Sequence, residues 1–248
     1  MAKPKRVGLI GAGAIGTVLA EAIQRELVIC DELVIYDTDL QRAQTLKRKI
    51  QFPIKIVDSI DTLIAQKPKV IIEAASQQAI TEYFDKLLAA DIDIIVMSTG
   101  ALLSLGIGSH RVHFPSGAIG GLDALSTAAL AGINDIAITT RKPPKTLGKD
   151  NAQEELLVYE GYAKEAVQRF PREMNVAATL SLIVKPVKVK VRVISDPKIK
   201  RNTHIINIKW LYGEMTLQFA NDPHPDNPHT SALAAWSAIK LLKTLLET

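Results

Sequence analysis

Three glycines near the start of the chain have the spacing Gly-x-Gly-x-x-Gly, at Gly11, Gly13 and Gly16. They follow a short apolar run, residues 7–10, that is typical of a buried strand, and they precede a helical pattern. In such a turn the first glycine permits the tight bend, the second lets the backbone approach a pyrophosphate, and the third lets the helix lie against the strand. The helix N-terminus attracts the phosphates. The motif therefore predicts a dinucleotide-binding turn.

A carboxylate stands where dinucleotide recognition requires one. Residues 33–36 predict a second strand that ends on Asp37, about 20 residues past the last glycine, where an acidic side chain binds the ribose hydroxyls. The alternative, a glycine turn in an ordinary strand–helix unit, leaves Asp37 unexplained. Because a carboxylate repels a 2′-phosphate, Asp37 favours NAD over NADP, although Arg42 and Lys47 lie nearby in sequence.

One histidine is a candidate for proton transfer. His204 opens a predicted strand directly after the polar segment 196–203. The pKa of an imidazole lies near neutrality, so His204 could take a proton as a hydride leaves the substrate carbon. A purely structural histidine is the alternative at this position.

The other histidines and the single cysteine fit structural roles. His110 and His113 have a spacing that could bind metal, but no third ligand is close in sequence, so we expect a surface loop and no metal site. His224 and His229 lie in a proline-rich turn. Cys30 excludes an intramolecular disulfide framework, fits a reducing cytosol, and is interpreted as a small buried hydrophobe rather than a nucleophile.

The first half of the chain alternates predicted strands with helices. Further strands are predicted at residues 54–57, 70–74 and 94–97. Such alternation predicts a doubly wound parallel sheet of the Rossmann type, in which ligands bind beyond the carboxyl ends of the strands. The residues that follow two of these strands are therefore candidates to line the nicotinamide half of the site: Ala75, Ser76, Gln77, Ser98, Thr99 and Gly100.

The second half has a different pattern, typical of an α+β domain on an open mixed sheet. Its predicted strands are residues 136–140, 187–193, 203–211 and 214–219, its predicted helices are residues 154–170 and 175–183, and residues 142–148 form a loop. In the second of these strands, valines alternate with a basic face of Lys188, Lys190 and Arg192. We interpret that face as solvated or as part of a dimer edge rather than as a substrate clamp.

Composition limits the partners. The chain has 248 residues, of which 47 % are hydrophobic and 23 % charged, and a formal net charge of +4. Its basic residues are dispersed, so nucleic acid is not a favoured partner, whereas a mildly basic surface suits anionic small molecules. No signal peptide or membrane span is recognisable, and we expect a cytoplasmic protein.

Five motifs together resemble the archaeal and bacterial family of NAD(P)-dependent L-aspartate dehydrogenases. They are Gly-Ala-Gly-Ala-Ile-Gly from Gly11, Ser-Gly-Ala-Ile-Gly-Gly-Leu-Asp from Ser116, Asn-Val-Ala-Ala-Thr-Leu from Asn175, Arg-Asn-x-His from Arg201, and Asn-Pro-x-Thr-Ser from Asn227. Many dehydrogenases share the first, whereas the second, third and fourth in this order are more specific. The chain departs from the family pattern at Glu173, where an asparagine usually stands two residues before the third motif.

The resemblance implies the following roles. His204 matches the family's active-site histidine, and Ala118 and Asn175 match positions that contact the nicotinamide end of the cofactor. The resemblance also implies a homodimer through the second domain's sheet, and a last helix that packs back on the nucleotide domain. We thus expect a dinucleotide-binding domain over residues 1–110, a substrate and dimerisation domain over 111–225, and the C-terminal helical segment over 226–248.

The implied reaction is the reversible oxidative deamination of L-aspartate to iminoaspartate, which hydrolyses to oxaloacetate and ammonia or supplies NAD biosynthesis. His204 would be the general base, acting either on the substrate ammonium or on the water that hydrolyses the imine. Candidate partners for the substrate carboxylates are Ser76, Arg201, Asn202 and Thr203. The predicted cofactor contacts are Gly11, Gly13, Ala14, Ile15, Gly16, Asp37, Ala75, Ser98, Thr99, Ala118 and Asn175.

Two other functions compete with this one. A related two-domain enzyme, such as a homoserine dehydrogenase or a dihydrodipicolinate reductase, generally has a lysine-centred site, whereas the candidate base here is His204. A non-catalytic NAD(H) sensor on the same fold would usually carry a nucleic-acid-binding module, which the sequence does not reveal.

Overall fold

The computed structural model describes residues 4–107, 109–171, 173–224 and 227–247, with the backbone alone at 223–224 and 227–230. The side chains of His224 and His229 thus lie outside the described part. The chain forms two compact units, the first comprising residues Met1–Pro115 and Ala235–Thr248 and the second Ser116–Ala234. The sequence prediction set these boundaries at 110/111 and 225/226.

The first unit contains a parallel sheet. Its elements are β1 (Arg6–Ile10), α1 (Ala14–Gln24), β2 (Glu32–Tyr36), α2 (Leu40–Lys49), β3 (Ile54–Ile56), α3 (Ile60–Ala65), β4 (Val70–Glu73), α4 (Gln77–Ala89), β5 (Asp93–Val96), α5 (Leu102–Leu105) and β6 (Val112–His113). The six strands lie in the order β3-β2-β1-β4-β5-β6, each parallel to its neighbours. The predicted doubly wound sheet is confirmed. Strand β6, with two residues, is too short to leave a periodic signal in the sequence.

The central strands are apolar along their whole length because both faces of the sheet are covered. In β1, Val7 and Leu9 are fully buried, and in β4 Val70 and Ile71 are as well. Helices α2, α3 and α4 begin at polar N-caps whose side chains accept backbone N–H groups. The starts of these three helices are therefore fixed by their capping side chains, and the strands by their burial.

The final helix, α9 (Ala232–Glu247), belongs mostly to the first unit. It buries Ala238, Ile239 and Leu242. Near its C-terminus, Lys5 Nζ donates to the carbonyl oxygen of Leu246 at 2.8 Å. A cation at a helix C-terminus satisfies a free carbonyl and interacts favourably with the helix dipole. This first unit is thus built from two separate stretches of the chain.

The second unit contains a mixed sheet. Its elements are α6 (Leu122–Ala131), β7 (Ile133–Lys142), β8 (Leu156–Tyr162), α7 (Ala163–Arg169), α8 (Asn175–Ile183), β9 (Lys190–Ser195), β10 (Asn202–Trp210), β11 (Gly213–Asn221), β12 (Pro223–His224) and β13 (Asn227–Ser231). Five strands lie in the order β11-β10-β7-β9-β8, with β7 and β9 parallel and the other neighbours antiparallel. Helix α6 packs on β10 and helix α7 on β9. The predicted α+β domain on an open mixed sheet is confirmed.

Two predictions in this unit are wrong. Residues 154–170 do not form one helix, because Leu156–Tyr162 pair with β9 as strand β8 and the helix begins only at Ala163. The segment is rich in residues that favour strands, and a partner strand distant in sequence decides its conformation. Lys142, predicted to start a loop, is instead the last residue of β7 and is buried.

The glycine turn after β1 is fixed by close backbone contacts. Gly11 has φ +100°, and a Cβ atom there would lie 2.7 Å from the carbonyl oxygen of Ala74. A Cβ atom on Gly16 would overlap the carbonyl oxygen of Gly11, whereas one on Gly13 would meet nothing within 4 Å. The first and third glycines are therefore needed for folding, and the second is free for a role toward a ligand. No helix in the described ranges is both long and apolar enough to cross a membrane.

These contacts predict unequal effects of two alanine substitutions. Gly16→Ala should lower the free energy of unfolding by about 2 kcal/mol or more, because the added methyl group overlaps backbone that cannot move away. Gly13→Ala should change it by less than about 0.5 kcal/mol. Urea denaturation of the two variants and the wild type measures the difference, and equal destabilisation by both would contradict it.

Candidate functional site

A pocket of about 330 Å³ lies at the carboxyl end of the parallel sheet in the first unit. This volume is within the range of small-molecule binding sites. Gly11 and Gly13 line it from one side, Asp37 and Arg42 from a second, and the start of α4 from a third. The predicted glycine turn and the predicted carboxylate thus share one pocket.

The mouth of this pocket suits a phosphate group. Helix α1 begins at Ala14 and Ile15 directly after Gly13, no side chain caps it, and its first turn contains no acidic residue. Its first backbone N–H groups and the positive end of its dipole are therefore available to an anion. With no Cβ at Gly13, the backbone leaves the space that a pyrophosphate would occupy, so these residues fit a dinucleotide.

Asp37 directly follows β2, and backbone N–H groups hold its carboxylate in place. Its Oδ2 accepts the backbone N–H of Ala12 at 2.7 Å, and its Oδ1 accepts that of Asp39 at 2.8 Å. Each carboxylate oxygen can accept a second hydrogen bond, so both remain able to bind hydroxyl groups. Arg42 lies beside it and forms an ion pair with Asp39, with Nε 3.2 Å from Oδ2.

The residues after β4 and β5 lie in different surroundings. Ala75 and Ser76 are exposed and line the pocket, and Ser76 Oγ accepts the backbone N–H of Ala79 as the N-cap of α4. Ser98 and Thr99 are buried. Ser76, predicted as a substrate contact, is therefore placed among the candidate cofactor contacts of the first unit.

Glu73 is a buried acid that the sequence analysis did not single out. Its Oε1 accepts the backbone N–H of Ala75 and the hydroxyl of Ser98, each at 2.8 Å, and its Oε2 accepts the backbone N–H of Ser98 at 3.0 Å. Burial raises the pKa of the Glu73 carboxyl, and these hydrogen bonds oppose the rise. Glu73 thus ties together the ends of two neighbouring strands, next to predicted cofactor contacts.

The second unit has a polar cluster on the buried face of its sheet, here called the polar sheet end. It consists of Thr140 and Lys142 on β7 and of Asn202 and His204 on β10, all buried. The same face is apolar further along, with Ile138 and Ile206 fully or nearly fully buried. Because side chains alternate along a strand and His204 pairs with Thr140 in register, the four side chains share one face.

His204 is neutral in this environment. Its pKa is lowered to about 3, mainly by burial and also by the positive charge of Lys142. Its Nδ1 lies 3.0 Å from the hydroxyl oxygen of Thr140. Nε2 makes no hydrogen bond to any residue in the described ranges. The imidazole is therefore oriented through one nitrogen while the other is available.

Asn202 and Lys142 are both buried polar residues. Asn202 is 1 % exposed, and neither Oδ1 nor Nδ2 has a hydrogen-bond partner in the described structure. Burial lowers the pKa of Lys142 to about 8, opposed by the negative charge of Glu173. The alternation Ile136, Ile138, Thr140, Lys142 is the sequence signal for its burial, but Pro143 suggested a loop instead.

Two predicted substrate contacts lie elsewhere. The Arg201 side chain is 59 % exposed, and its Nε lies 2.9 Å from Oδ1 of Asp222. Thr203 follows the alternation onto the opposite face of the sheet from His204. Of the three predicted contacts on β10 and just before it, the structure thus brings only Asn202 onto the buried face with His204.

Ala118 and Asn175 both lie in the second unit. Ala118 is buried in the loop before α6, and its carbonyl oxygen accepts a hydrogen bond from Asn221 Nδ2 at 2.8 Å. Asn175 is the half-buried first residue of α8. Both residues therefore belong to the unit that contains the polar sheet end.

The other candidate groups form ordinary contacts. His113 lies in β6 rather than in a loop, with Nε2 2.8 Å from Asp93 Oδ1, and His110 is exposed. Burial raises the pKa of the Cys30 thiol to about 11, so it is a poor nucleophile. Within the described residues, no group of three or more His, Cys, Asp or Glu side chains is arranged to hold a metal ion.

Two family models match the chain. Residues 11–109 match the NAD-binding domain of homoserine dehydrogenase, and residues 123–245 match the C-terminal domain of aspartate dehydrogenase. The first match covers the glycine turn and Asp37, and the second covers the polar sheet end.

Relatives match over nearly the full length. L-aspartate dehydrogenases from Archaeoglobus fulgidus and Methanothermobacter thermautotrophicus are 39 % and 37 % identical, over 97 % of this chain and 98 % and 96 % of theirs. The crystal structure of aspartate dehydrogenase from Thermotoga maritima is 32 % identical, with a TM-score of 0.77 over 97 % of this chain and 96 % of that one. A myo-inositol dehydrogenase from Corynebacterium glutamicum, 14 % identical with a TM-score of 0.58 over 98 % of this chain and 88 % of that one, shares the fold alone. The chain belongs to the L-aspartate dehydrogenase family.

Proposed function

We propose that the protein oxidises L-aspartate to iminoaspartate with NAD, and that the imine is hydrolysed to oxaloacetate and ammonia. The observation that carries the proposal is the polar sheet end, where a buried neutral histidine shares one face with Asn202, whose amide has no hydrogen-bond partner among the described residues. Membership of the family supplies the substrate class. The reaction is reversible, and iminoaspartate released from it could supply NAD biosynthesis.

The first unit would bind the cofactor, which supplies the hydride acceptor. Gly11, Gly13, Ala14, Ile15 and Gly16 would contact the pyrophosphate through the backbone. Asp37 would bind the adenosine ribose and favour NAD, with NADP as a weaker cofactor. Ala75, Ser98 and Thr99 of this unit would contact the nicotinamide end. Ala118 and Asn175, predicted to contact the same end, belong to the second unit.

His204 would be the general base. In the tautomer in which Nδ1 donates to the hydroxyl oxygen of Thr140, the lone pair of Nε2 can accept a proton from the substrate ammonium before the hydride leaves, or from the water that attacks the imine. In either case the imidazole must be neutral at working pH, and its burial ensures this. Proximity and charge complementarity for a dicarboxylate would contribute much of the rate.

Asn202 is the best placed of the predicted substrate contacts. Its amide offers both a donor and an acceptor on the face that carries His204, and both lack partners among the described residues. Ser76, Arg201 and Thr203 remain weaker proposals, since each lies exposed, paired or on another face.

We further propose a cytoplasmic homodimer that pairs through the five-stranded sheet of the second unit. Support comes from exposed apolar residues on that sheet and its turns, among them Leu156, Leu157, Tyr162 and Leu211. Large apolar side chains at a surface are typical of subunit interfaces. The lone Cys30 is consistent with a reducing compartment.

The substrate assignment is tested by NADH absorbance with L-aspartate, D-aspartate, L-glutamate, L-homoserine and L-alanine. We expect turnover of L-aspartate well above the others. His204→Ala should lower kcat by about 10²- to 10⁴-fold, the usual contribution of a general base. His110→Ala, an exposed histidine, is the matched control and should leave the rate unchanged. Turnover of a different amino acid alone would refute the substrate, and near-normal turnover by a folded His204→Ala variant would remove His204 from the mechanism.

Burial of His204 predicts a loss of stability in acid. Its folded-state pKa of about 3 lies below the ordinary value near 6.5, so the unfolded chain takes up a proton first as the pH falls through 6.5. The contribution of neutral His204 to the free energy of unfolding is fully present above pH 6.5 and is lost as the pH falls toward 3. Between pH 7 and 5 the wild type should lose about 2 kcal/mol more stability than His204→Gln.

Urea denaturation at several pH values measures this difference. His110→Gln is the control and should follow the wild type, because the side chain of His110 is exposed. Parallel pH profiles for the wild type and His204→Gln would contradict the neutral, buried assignment.

The cofactor preference is tested at Asp37. Asp37→Ala should weaken NADH binding about tenfold or more, because a charged hydrogen bond to the ribose is lost, and should weaken NADPH binding less. Gly13→Ala should weaken both to a similar extent, since both carry the same pyrophosphate. Fluorescence titrations give the four dissociation constants, and an equal effect of Asp37→Ala on both cofactors would count against the ribose contact.

A further inference from the structure

Of the lysine and arginine side chains in the described residues, only Lys142 is buried, with 2 % of its surface exposed. A buried ammonium group loses its hydration, and in proteins such a cost is normally met by a paired anion. No carboxylate oxygen in the described ranges lies within 4 Å of Lys142 Nζ, the distance that defines an ion pair. The nearby negative charge of Glu173 favours the charged form without restoring the ordinary pKa of Lys142.

Asn202 adds a buried amide without a hydrogen-bond partner in the described structure. Asn202 directly precedes Thr203, which pairs with Arg141 of β7. Because the two strands are antiparallel, the same register places Asn202 opposite Lys142. Both of its amide atoms are buried without a hydrogen bond in the described structure. A cation, an amide donor and an amide acceptor thus point to a ligand that is anionic and carries polar atoms of both kinds.

We propose that Lys142 and Asn202 together bind a carboxylate of the substrate, and that Lys142 is the cation that selects an acidic amino acid. The proposal rests on the proposed function and names the residue that the sequence analysis missed. The carboxylate would accept hydrogen bonds from Lys142 Nζ and Asn202 Nδ2. Asn202 Oδ1 would remain for a donor such as the substrate ammonium.

Arg201 was the cation expected for this task, but its position argues against it. Its side chain is largely exposed and already paired with Asp222. An exposed ion pair contributes little to binding because water competes for both partners. A desolvated lysine beside an amide offers a stronger and more selective carboxylate site.

Binding there would also affect the base. Lys142 lies close enough to lower the pKa of His204. A bound carboxylate neutralises that charge, so His204 becomes more basic when the substrate is present. The site would therefore keep the imidazole unprotonated while empty and strengthen it as a proton acceptor once it is filled.

The test compares Lys142→Met with the wild type and with Lys145→Met, which removes an exposed lysine three residues away. The probe is succinate, a dicarboxylate without an amino group, titrated into the full-length protein with saturating NADH. We expect succinate to bind Lys142→Met at least about thirtyfold more weakly, with KM for L-aspartate raised in proportion and NADH affinity unchanged. Lys145→Met should behave as the wild type.

Thermal unfolding supplies a readout that separates a ligand-binding role from a structural one. A lysine that holds the fold together would destabilise the protein when replaced. Removing an uncompensated buried charge should instead raise the Tm of Lys142→Met by a few degrees. Asn202→Leu should likewise weaken succinate binding without lowering the Tm.

Succinate affinity within about threefold of the wild type in Lys142→Met, or a Tm lowered by both Lys142→Met and Lys142→Gln, would overturn the proposal. If Lys142→Met does not fold, Lys142→Gln and Asn202→Leu carry the same comparison. Failure of the proposed function is a distinct result, in which the wild type does not oxidise L-aspartate. Succinate binding that depends on Lys142 would then still support the carboxylate site.

Discussion

The cost of burying a polar group without a partner is the constraint on which this structure depends. Some buried polar groups of this molecule have hydrogen-bond partners that offset the cost, and others do not. Glu73 is fully buried, yet both carboxylate oxygens accept hydrogen bonds from Ala75 and Ser98, so its role is structural. Asn202 is also buried, and neither of its amide atoms has a hydrogen bond among the described residues. Lys142 is buried beside it with only the charge of Glu173 to favour its charged form. The same physical rule therefore separates groups that hold the fold from groups that await a ligand.

The apolar part of the second unit makes this arrangement possible. Strands β7 and β10 bury isoleucines over most of their shared face, and only one end, the last residues of β7 and the first of β10, is polar. Each well-buried isoleucine contributes about 1.5–3 kcal/mol relative to exposure, enough for the sheet to tolerate a destabilising cluster at one end. A site built on paired strands is also held more rigidly than one built on loops. The apolar part of these two strands thus stabilises the sheet, and their polar end is suited to binding a ligand.

The glycine turn of the first unit follows a related logic. Gly11 and Gly16 are required because backbone atoms lie where their Cβ atoms would be. Gly13 has open space around it and adjoins the uncapped start of α1. No side chain caps that helix, so its first N–H groups are available to a ligand, as the amide of Asn202 is. In both units, the groups that the fold does not satisfy are the ones suited to a charged ligand.

The sequence by itself determined the parts that depend on local spacing. The turn from Gly11 to Gly16, the carboxylate at Asp37 and the doubly wound sheet follow from short-range periodicity and turn chemistry. Pairing between distant strands decided the rest. Residues 154–170 became a strand and a helix because β9 offers an edge, and Lys142 became buried because β7 continues beside β10. Burial depends on neighbours that are remote in sequence, so only the tertiary structure could reveal the cation of the polar sheet end.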